Sequence, residues 1–333
     1  MFFTRKIPVY FIIISTLLSG TAAFYIFRNM FVKPAEETDS SIGSYSCVYN
    51  LSRLSGYKFI KPLVATEQGC ESERYAPIKS GVAGLIDNFK GQGIISSASV
   101  YVRDFKESEW IGYNMGEKFN PGSLFKVPTL MTYLRLSEKD PSLLRKELKF
   151  DLPKSMVPNQ TFNSRTIQFG QSYTIKDLLR YMIAYSDNNA TVLLSRNLNA
   201  VEYEKTFTDL GMDKSMNSAD CQITARDYSI FIAALYNAGY LDIADSEFAL
   251  SLLNQCDFKD GLVKELPSSV KVAHKFGEWG NNQVQELHES GLIYINSAPY
   301  VITIMTKGTD VTKLPKVISD ISKFVYDKMV ALN

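Results

Sequence analysis

Three short motifs bring together serine, lysine and asparagine, the residue types of serine acyl-transfer chemistry. In NPGSLFKVP, Ser123 precedes Lys126 by three residues, and an apolar run with helical spacing follows. Residues three apart share one face of a helix, so the hydroxyl and the amine are expected side by side. Desolvation disfavours the ammonium form there, and a neutral amine can take the serine proton. The pair predicts an activated serine nucleophile at the start of a helix.

Two more motifs follow downstream. The tripeptide SDN, at 186–188, occupies a polar break between two helical patterns, and KFG, at 275–277, ends a strand-like run. Each motif alone has a simpler explanation. Lys126 could be a solvent-exposed surface lysine that follows Ser123 by chance, and SDN could be a helix N-cap. The pattern lysine-x-glycine recurs twice elsewhere in the chain. The ordered set is therefore the signal.

With S-x-x-K, S-D-N and K-x-G in this order, the chain resembles the class A β-lactamases and the penicillin-binding D,D-peptidases. The resemblance extends from about Ile78 to the carboxy terminus, and YTIKDLLRYMIAYSDNNATVLL is similar to the helix-turn-helix that carries the second motif in that family. It implies a β-lactamase/transpeptidase-like α/β (α+β) fold, with an antiparallel sheet flanked by helices and an inserted all-helical domain.

The resemblance implies a role for each catalytic side chain. Ser123 is the expected nucleophile, which attacks a cyclic or peptide amide carbonyl and forms an acyl-enzyme. Lys126 is its general base or proton shuttle, and Ser186 relays the proton to the departing nitrogen.

The resemblance also implies the substrate contacts. Asn188 is the expected ligand for the substrate amide, and Lys275 supplies a positive field for a substrate carboxylate. The backbone N–H groups of Ser123 and Glu278 form the oxyanion hole. Gly277 leaves room for substrate to lie along its strand as an added edge.

Two departures from the family pattern bear on substrate and rate. Phe276 replaces the hydroxyl residue that helps to bind a carboxylate, and Trp279 is either an aromatic wall of the cleft or a core residue. Between the second and third motifs, no E-x-x-L-N pattern supplies a deacylating glutamate, and Asp213 and Asp220 are the only carboxylates between the loop start and Thr224. The acyl-enzyme is therefore expected to be long-lived toward water.

Composition narrows the class of partner. The 333 residues contain 36 lysines and arginines against 35 aspartates and glutamates, so nucleic acid is not expected as a partner. No CxxC occurs, and His274 and His288 lack metal-ligand spacing, so neither a metal nor a cofactor is predicted. A β-lactam or a cell-wall peptide is the expected substrate.

The amino terminus predicts a membrane anchor. Ile7 to Phe27 runs without a charge after Arg5 and Lys6, which is long enough for a transmembrane helix. A cleaved signal peptide is the alternative, with a site near Ala23. We expect a retained single-pass anchor in the cell membrane and an extracytoplasmic catalytic domain.

Four cysteines in an oxidising compartment allow three pairings. Proximity in sequence favours Cys47 with Cys70 and Cys221 with Cys256, and reduced, buried cysteines are the alternative.

Periodicity places these motifs on helices and strands. A helix at 78–90 and a strand hairpin at 95–115 precede six helices, at 124–136, 175–184, 190–198, 202–210, 225–236 and 247–253. Three strands and a helix at 314–332 then complete the chain. The expected domains are 1–32 (cytoplasmic tip and anchor), 33–77 (linker and cysteine-flanked elaboration) and 78–333 (catalytic domain, with 78–122 and 257–333 as its α/β part and 123–256 as its helical part).

The sequence thus predicts a membrane-anchored serine hydrolase or acyltransferase that forms a Ser123 acyl-enzyme with β-lactams or D-Ala-D-Ala-type peptides. A slow β-lactamase and a D,D-peptidase both fit. The alternative is a non-catalytic module that binds cell-wall peptides or senses the envelope.

Overall fold

The computed structural model describes residues 48–54, 62–153, 157, 159–162, 164–212, 221–295 and 299–332. The predicted anchor lies outside the described residues, as do Cys47, Asp213 and Asp220. Within the described ranges, no helix combines the length and the apolar character needed to cross a membrane.

A five-stranded antiparallel sheet organises the chain. Its strands are β3 (Ser97–Asp104), β4 (Trp110–Tyr113), β7 (Val272–Gly280), β8 (Gln285–Ile293) and β9 (Tyr300–Gly308). The strand order is β4-β3-β9-β8-β7, so that β7, which carries the third motif, is an edge strand. Two separate two-stranded antiparallel sheets are described: β1 (Tyr49–Arg53) with β2 (Leu63–Gln68), and β5 (Glu147–Lys149) with β6 (Ser172–Thr174).

Eight helices are described. They are α1 (Ala76–Gly91), α2 (Lys126–Ser137), α3 (Ile175–Ala184), α4 (Asn188–Asn197), α5 (Ala200–Asp209), α6 (Ala225–Tyr236), α7 (Ile243–Asn254) and α8 (Leu314–Leu332). Helices α1 and α8 pack against each other and on one face of the sheet, whereas α6 packs on the opposite face.

Strand alternation supplies two hydrophobic cores, one on each face of the sheet. In β9, Ile302 and Ile304 point into the core beneath α1 and α8. Val301 and Met305, one residue out of phase, point into the core formed with the helices between β4 and β7. The sheet is thus buried on both faces, and its edge strand β7 meets the helical part.

Local capping explains why several helices begin where they do. Thr174 and Thr224, both predicted N-caps, accept hydrogen bonds from Asp177 N–H and Asp227 N–H, and α3 and α6 have the predicted limits. Segment 47–74, unassigned from sequence, contributes the β1–β2 hairpin.

The cysteines require one correction. Cys221 and Cys256 are both free, buried thiols, so the predicted disulfide between them is wrong. Cys70 is disulfide-bonded. Closeness in sequence says nothing about whether two Cβ atoms meet at disulfide geometry.

Candidate active site

Ser123 lies in a 3-10 turn, Gly122–Phe125, rather than in the helix predicted from Leu124 onward. The α-helix α2 begins at Lys126. Two distant elements bond to this segment: Tyr228 Oη of α6 donates to the Leu124 carbonyl within the turn at 2.9 Å, and His288 Nε2 of β8 donates to the carbonyl of Asn120, just before the turn, at 2.9 Å. Tertiary contacts therefore position the segment that contains Ser123.

Two glycines let this turn approach β7 closely. A Cβ atom on Gly277 would lie 2.3 Å from the Pro121 carbonyl oxygen and 2.7 Å from Leu124 N. Gly122 has φ +50°, and a Cβ there would lie 2.1 Å from the Glu278 carbonyl oxygen. The face of β7 at Gly277 is thus covered by the Ser123 turn, and the expected place for substrate along the edge of the strand stays a prediction.

Lys126 is 3% exposed and its amine meets three acceptors. Its Nζ lies 2.6 Å from the Ser186 carbonyl oxygen, 3.1 Å from Ser186 Oγ and 2.8 Å from Asn188 Oδ1. Among the described residues, Ser123 Oγ has no hydrogen-bond partner, so the predicted contact between Ser123 and Lys126 is not formed in this arrangement. Lys126 of the first motif nevertheless contacts Ser186 and Asn188 of the second motif.

The third motif reaches the same serine. Lys275 is fully buried, and its Nζ donates to Ser186 Oγ at 2.8 Å and to the Phe276 carbonyl oxygen at 2.8 Å. Ser186 itself is 1% exposed and has φ +52°, a left-handed conformation that costs a non-glycine residue on the order of 1–2 kcal/mol. This strained residue thus brings one hydroxyl between two lysine amines.

Lys126 and Lys275 differ in pKa because their surroundings differ. Burial, reinforced by the nearby charge of Lys275, lowers the pKa of Lys126 well below its ordinary value. Burial also lowers the pKa of Lys275, but Cys256 and Glu289 oppose the shift and leave that pKa at about 8. Lys126 is therefore the better candidate for the neutral amine and Lys275 for the ammonium.

A carboxylate in the second motif stabilises the loop and acts as the helix cap predicted from sequence. Asp187 accepts hydrogen bonds from Asn189 N–H at 3.0 Å and from Ala190 N–H, which caps α4. It also accepts from Thr166 Oγ1 at 2.8 Å and Ile167 N–H at 2.9 Å. The cap and the catalytic interpretation of SDN are thus both compatible with the structure.

Phe276 points away from the open part of the site. Its ring stacks on Phe258 at a centroid distance of 4.5 Å, and the edge of the Phe162 ring approaches both. The Lys275 amine lies 4.0 Å from the Phe276 ring centroid. An aromatic cluster therefore surrounds the buried ammonium, and a cation over an aromatic face is an attractive contact.

Glu278 follows the third motif and faces the cavity. Its Oε1 accepts a hydrogen bond from Thr161 N–H at 2.5 Å, and its Oε2 is buried with no partner among the described residues. Burial raises the pKa of this carboxyl group. Trp279, next along the strand, is 37% exposed and lines the cavity, which supports the aromatic-wall alternative over the core one.

A cavity of about 580 Å³ opens beside Ser123. Four of the predicted site residues line it, namely Ser123, Lys126, Asn188 and Glu278. Ser186, Lys275 and Gly277 are absent from its lining within the described part of the chain. The rest of the wall is largely apolar or uncharged: Gly122, Phe125, Thr129, Asn159, Gln160, Thr191, Ser195, Leu198, Ala200, Tyr203, Trp279 and Gly280.

Residues 82–329 match the family described as the β-lactamase enzyme family. The chain belongs to this family. The match covers all three motifs, and the lysines that meet at Ser186 come from two of them.

Solved structures of the same fold agree with this assignment. A β-lactamase from Chitinophaga pinensis is 18% identical with a TM-score of 0.66, and the alignment covers 76% of this chain and 99% of that one. A class A β-lactamase from Mycobacterium abscessus is 21% identical with a TM-score of 0.63, over 76% and 99%. The protein PBP-A is 18% identical with a TM-score of 0.63, over 76% and 96%. No curated protein sequence matches the chain.

Sequence reasoning missed a buried polar cluster behind β7. His274 Nδ1 lies 2.5 Å from Glu289 Oε1, and both side chains are fully enclosed. Although burial opposes it, contact with Cys256 and Glu289 raises the pKa of His274 to about 10. A partial signal was present: His274 directly follows the apolar pair Val272 and Ala273 in a strand-like run, and a charge buried in a strand requires a partner.

Sequence reasoning also missed a cluster of three acidic side chains at the end of α2 and the start of α7. Glu138, Asp242 and Asp245 bring their carboxylates within reach of one cation. Glu138 Oε1 and Asp242 Oδ1 already accept backbone hydrogen bonds at the start of α7. None of the three lines the cavity beside Ser123.

Proposed function

We propose that this protein is a serine acyl-transfer enzyme that forms an acyl-enzyme at Ser123. The observation that carries the proposal is the pair of lysine amines on Ser186, with the low-pKa member, Lys126, next to the open cavity that contains Ser123. β-Lactams and D-Ala-D-Ala-type peptides or thioesters are the probes that family membership suggests.

The contacts allow a proton relay. A neutral Lys126 amine has two N–H donors but three neighbouring oxygens. In the third contact the amine must therefore accept a hydrogen bond, and Ser186 Oγ–H is the only one of the three groups that can donate it. Lys275, as an ammonium, donates to the same Oγ. The chain Lys275, Ser186, Lys126 can thus pass a proton between the two amines through one hydroxyl, and the positive charge moves with it.

Acylation starts with a proton transfer. The Ser123 Oγ–H proton passes to Lys126 as Oγ bonds to the carbonyl carbon, and the carbonyl oxygen becomes an oxyanion. The C–N bond breaks, the departing nitrogen takes a proton from Ser186 Oγ–H, and Lys126 returns a proton to Ser186. The products are a Ser123 ester and an amine, and Lys126 is again neutral.

Backbone N–H groups of Ser123 and Glu278 are proposed to bind the oxyanion. Support comes from the close packing of their segments, with Gly122 against the Glu278 carbonyl, and from the edge position of β7, which leaves one side of the strand without a neighbouring strand in the described sheet. Preorganised donors of this type stabilise developing charge without reorganisation.

Hydrolysis of the ester is proposed to be slow. Glu278 is the only carboxylate among the described residues that line the cavity, and one of its oxygens is already bonded to Thr161. The chain is therefore proposed to act as a penicillin-binding enzyme or slow β-lactamase. A related solved structure shows a mutant of PBP-A as its acyl-enzyme complex with penicillin G.

Intact-protein mass spectrometry tests the proposal. The soluble portion is incubated with benzylpenicillin and, separately, with a D-alanyl-D-alanine-type thioester, and adducts are followed for hours beside Ser123→Ala. A persistent adduct that disappears in Ser123→Ala is the expected result. Rapid loss of the adduct with accumulation of product would show an efficient hydrolase instead, and an adduct that survives in Ser123→Ala would place the nucleophile elsewhere.

A non-catalytic binding module is the second candidate. It is favoured by the missing contact between Ser123 Oγ and Lys126 among the described residues, and by the complete burial of Lys275. Stoichiometric binding of a cell-wall peptide with no adduct from either probe would support it.

We also propose that Ile7 to Phe27 anchors the protein in the cell membrane, with the catalytic part outside the cytoplasm. The uncharged run supports this. The full chain should sediment with membranes and resist carbonate extraction, whereas a chain that begins at Lys33 should not.

A further inference from the structure

The cavity beside Ser123 continues along α2. Ser123, Lys126 and Thr129 line it at three-residue intervals, which places them on one face of the 3-10 turn and of the helix that follows. From Ser123 to Thr129 such a stretch spans about 9 Å along its axis. The cavity is therefore longer than the reacting carbonyl group requires.

Helix α4 and its junction with α5 form the opposite wall. Asn188, Thr191 and Ser195 lie along α4, and Leu198 and Ala200 continue the wall into α5. Ser195 and Ala200 are exposed, so this end of the cavity opens to solvent. We call the part of the cavity that the helices line the helical arm; its residues are Thr129, Thr191, Ser195, Leu198, Ala200 and Tyr203.

The inner wall of the helical arm is held in place by packing behind it. Tyr203 is hydrogen-bonded to Thr129, and its ring meets the ring of Phe207 edge-on at a centroid distance of 5.1 Å. Phe125, which also lines the cavity, contacts the same Phe207 ring at 5.6 Å. Phe207 is fully buried, so the aromatic surface exists before any ligand arrives.

The helical arm offers apolar surface and no charge. None of its described residues is an acid, a lysine, an arginine or a histidine. The hydroxyl groups of Thr129 and Thr191 already donate to the backbone carbonyls of Phe125 and Asp187, at 3.1 and 2.7 Å. Burial of apolar surface is favourable and needs neither a counter-ion nor a hydrogen-bond partner. An alkyl or aryl chain is therefore the ligand that this wall complements.

The stereochemistry of attack at Ser123 directs one part of the substrate into this space. Four groups surround the acyl carbon in the tetrahedral intermediate: Ser123 Oγ, the oxyanion, the departing nitrogen and the acyl side group. In the proposed reaction the oxyanion lies toward Glu278 N–H of β7, and the nitrogen lies toward Ser186 Oγ. The acyl side group must take the remaining direction, and no residue of β7 or of the SDN turn up to Asp187 belongs to the helical arm.

We infer that the helical arm binds the acyl side group of the substrate and selects for a long, apolar one. This rests on the proposed acyl-enzyme at Ser123. The substrate class is thus an amide or a β-lactam whose acyl side carries an alkyl or aryl chain long enough to reach Ala200 and Tyr203.

A matched pair of penicillins tests the inference. Their acylamino side groups are acetyl and octanoyl, so they differ only in the length of one alkyl chain. In both, the Ser123 Oγ–C bond forms, the β-lactam C–N bond breaks and the ring nitrogen takes a proton, so that the adduct has the mass of the whole penicillin. The second-order rate constant for adduct formation is measured by intact-protein mass spectrometry.

For the unmodified protein we expect the octanoyl penicillin to react at least about tenfold faster than the acetyl one, because each buried methylene contributes to binding. Ala200→Trp and Ser195→Trp narrow the helical arm from two different helices, and each should reduce this ratio severalfold toward one. Val201→Trp is the matched control. Val201 is next to Ala200, is 70% exposed and lies outside the cavity lining, so this variant should keep the ratio.

Other outcomes are distinguishable. A ratio near one in the unmodified protein, with both adducts on Ser123, overturns the inference and leaves the proposed acyl-enzyme intact. A high ratio that survives in Ala200→Trp and Ser195→Trp but falls in Trp279→Ala overturns it too, and places the chain at the β7 end of the cavity. An equal fall in Val201→Trp would show an unspecific effect of the new ring and would also reject the helical arm. Absence of any Ser123 adduct from either penicillin rejects the proposed function, and the inference with it.

Discussion

The two sides of the candidate site differ in how they meet solvent. On the Ser123 side, the 3-10 turn, Asn188 and Trp279 line an open cavity of about 580 Å³. On the Lys275 side, the ammonium, Ser186 and the Phe276 ring are almost fully enclosed. Lys126 is the link, because it starts α2 beside the cavity and bonds to Ser186.

This difference separates two roles that one site must combine. The open side can receive an acyl donor. The enclosed side sets the proton affinities and positions of the groups behind it, and of these only Ser186 is proposed to exchange a proton with the donor. Changes on the open side should therefore alter rates, and changes on the enclosed side should alter stability and pH dependence. Variants on each side test that division.

The largest expected effect comes from the linking residue. Lys126→Ala removes the amine that is proposed to take the Ser123 proton, so acylation should slow by roughly 10²–10⁴-fold. The rate of adduct formation by mass spectrometry measures this, with circular dichroism to show that the variant is folded. Acylation within a factor of a few of the unmodified rate would assign the base to another group.

On the enclosed side, Phe276→Ala should cost about 3–5 kcal/mol of the free energy of unfolding, because it leaves a cavity among stacked rings. Trp279→Ala, on the open side of the same strand, is the matched control and should cost far less, since Trp279 is 37% exposed. Urea denaturation measures both. Equal losses would mean that Phe276 and Trp279 are buried to the same extent, which would contradict the structure.

Close packing between β7 and the Ser123 turn predicts a smaller loss. Gly277→Ala should cost about 1–3 kcal/mol, because the new Cβ would meet the Pro121 carbonyl and Leu124 N. Gly84→Ala, within α1, has nothing within 4 Å of its new Cβ and should be neutral or stabilising by up to about 1 kcal/mol. Thermal unfolding of the two variants separates a steric effect from a general effect of replacing glycine.

The enclosed ammonium also predicts how stability varies with pH. The pKa of Lys275 falls from 10.5 to about 8 on folding, so the folded protein binds this proton less tightly than the unfolded chain. The penalty is fully present below pH 8 and disappears as the pH rises toward 10.5. The unmodified protein should therefore gain on the order of 1–3 kcal/mol relative to Lys275→Met across this interval. A flat difference in urea-derived stabilities would show that Lys275 is not desolvated.

Several elements were predictable because their signals are local. The helices at 175–184 and 225–236 have the limits expected from sequence, since a threonine N-cap and helical periodicity are both encoded within a few residues. The order of the three motifs along the chain likewise indicated the family. These properties depend on neighbouring residues or on the succession of motifs.

Other expectations failed where distant segments decide. The helix expected from Leu124 is a 3-10 turn through Phe125 and an α-helix from Lys126, and Tyr228 of the distant α6 bonds to the carbonyl of Leu124 within that turn. The Cys221–Cys256 pairing was inferred from proximity along the chain, and the two thiols are free. Neither outcome is visible in a local pattern.

The sequence by itself determined the family and the two threonine helix caps, and it singled out the serine, lysines and asparagine on which the proposed chemistry depends, since these follow from residue type and spacing. The tertiary structure decided which of them line the cavity and which are enclosed. Phe276 packs inward on Phe258 and Phe162, residues that lie 18 and 114 positions away, and so encloses Lys275. Burial and pairing of charges arise from contacts between remote segments, and those contacts set the proton affinities on which the chemistry depends.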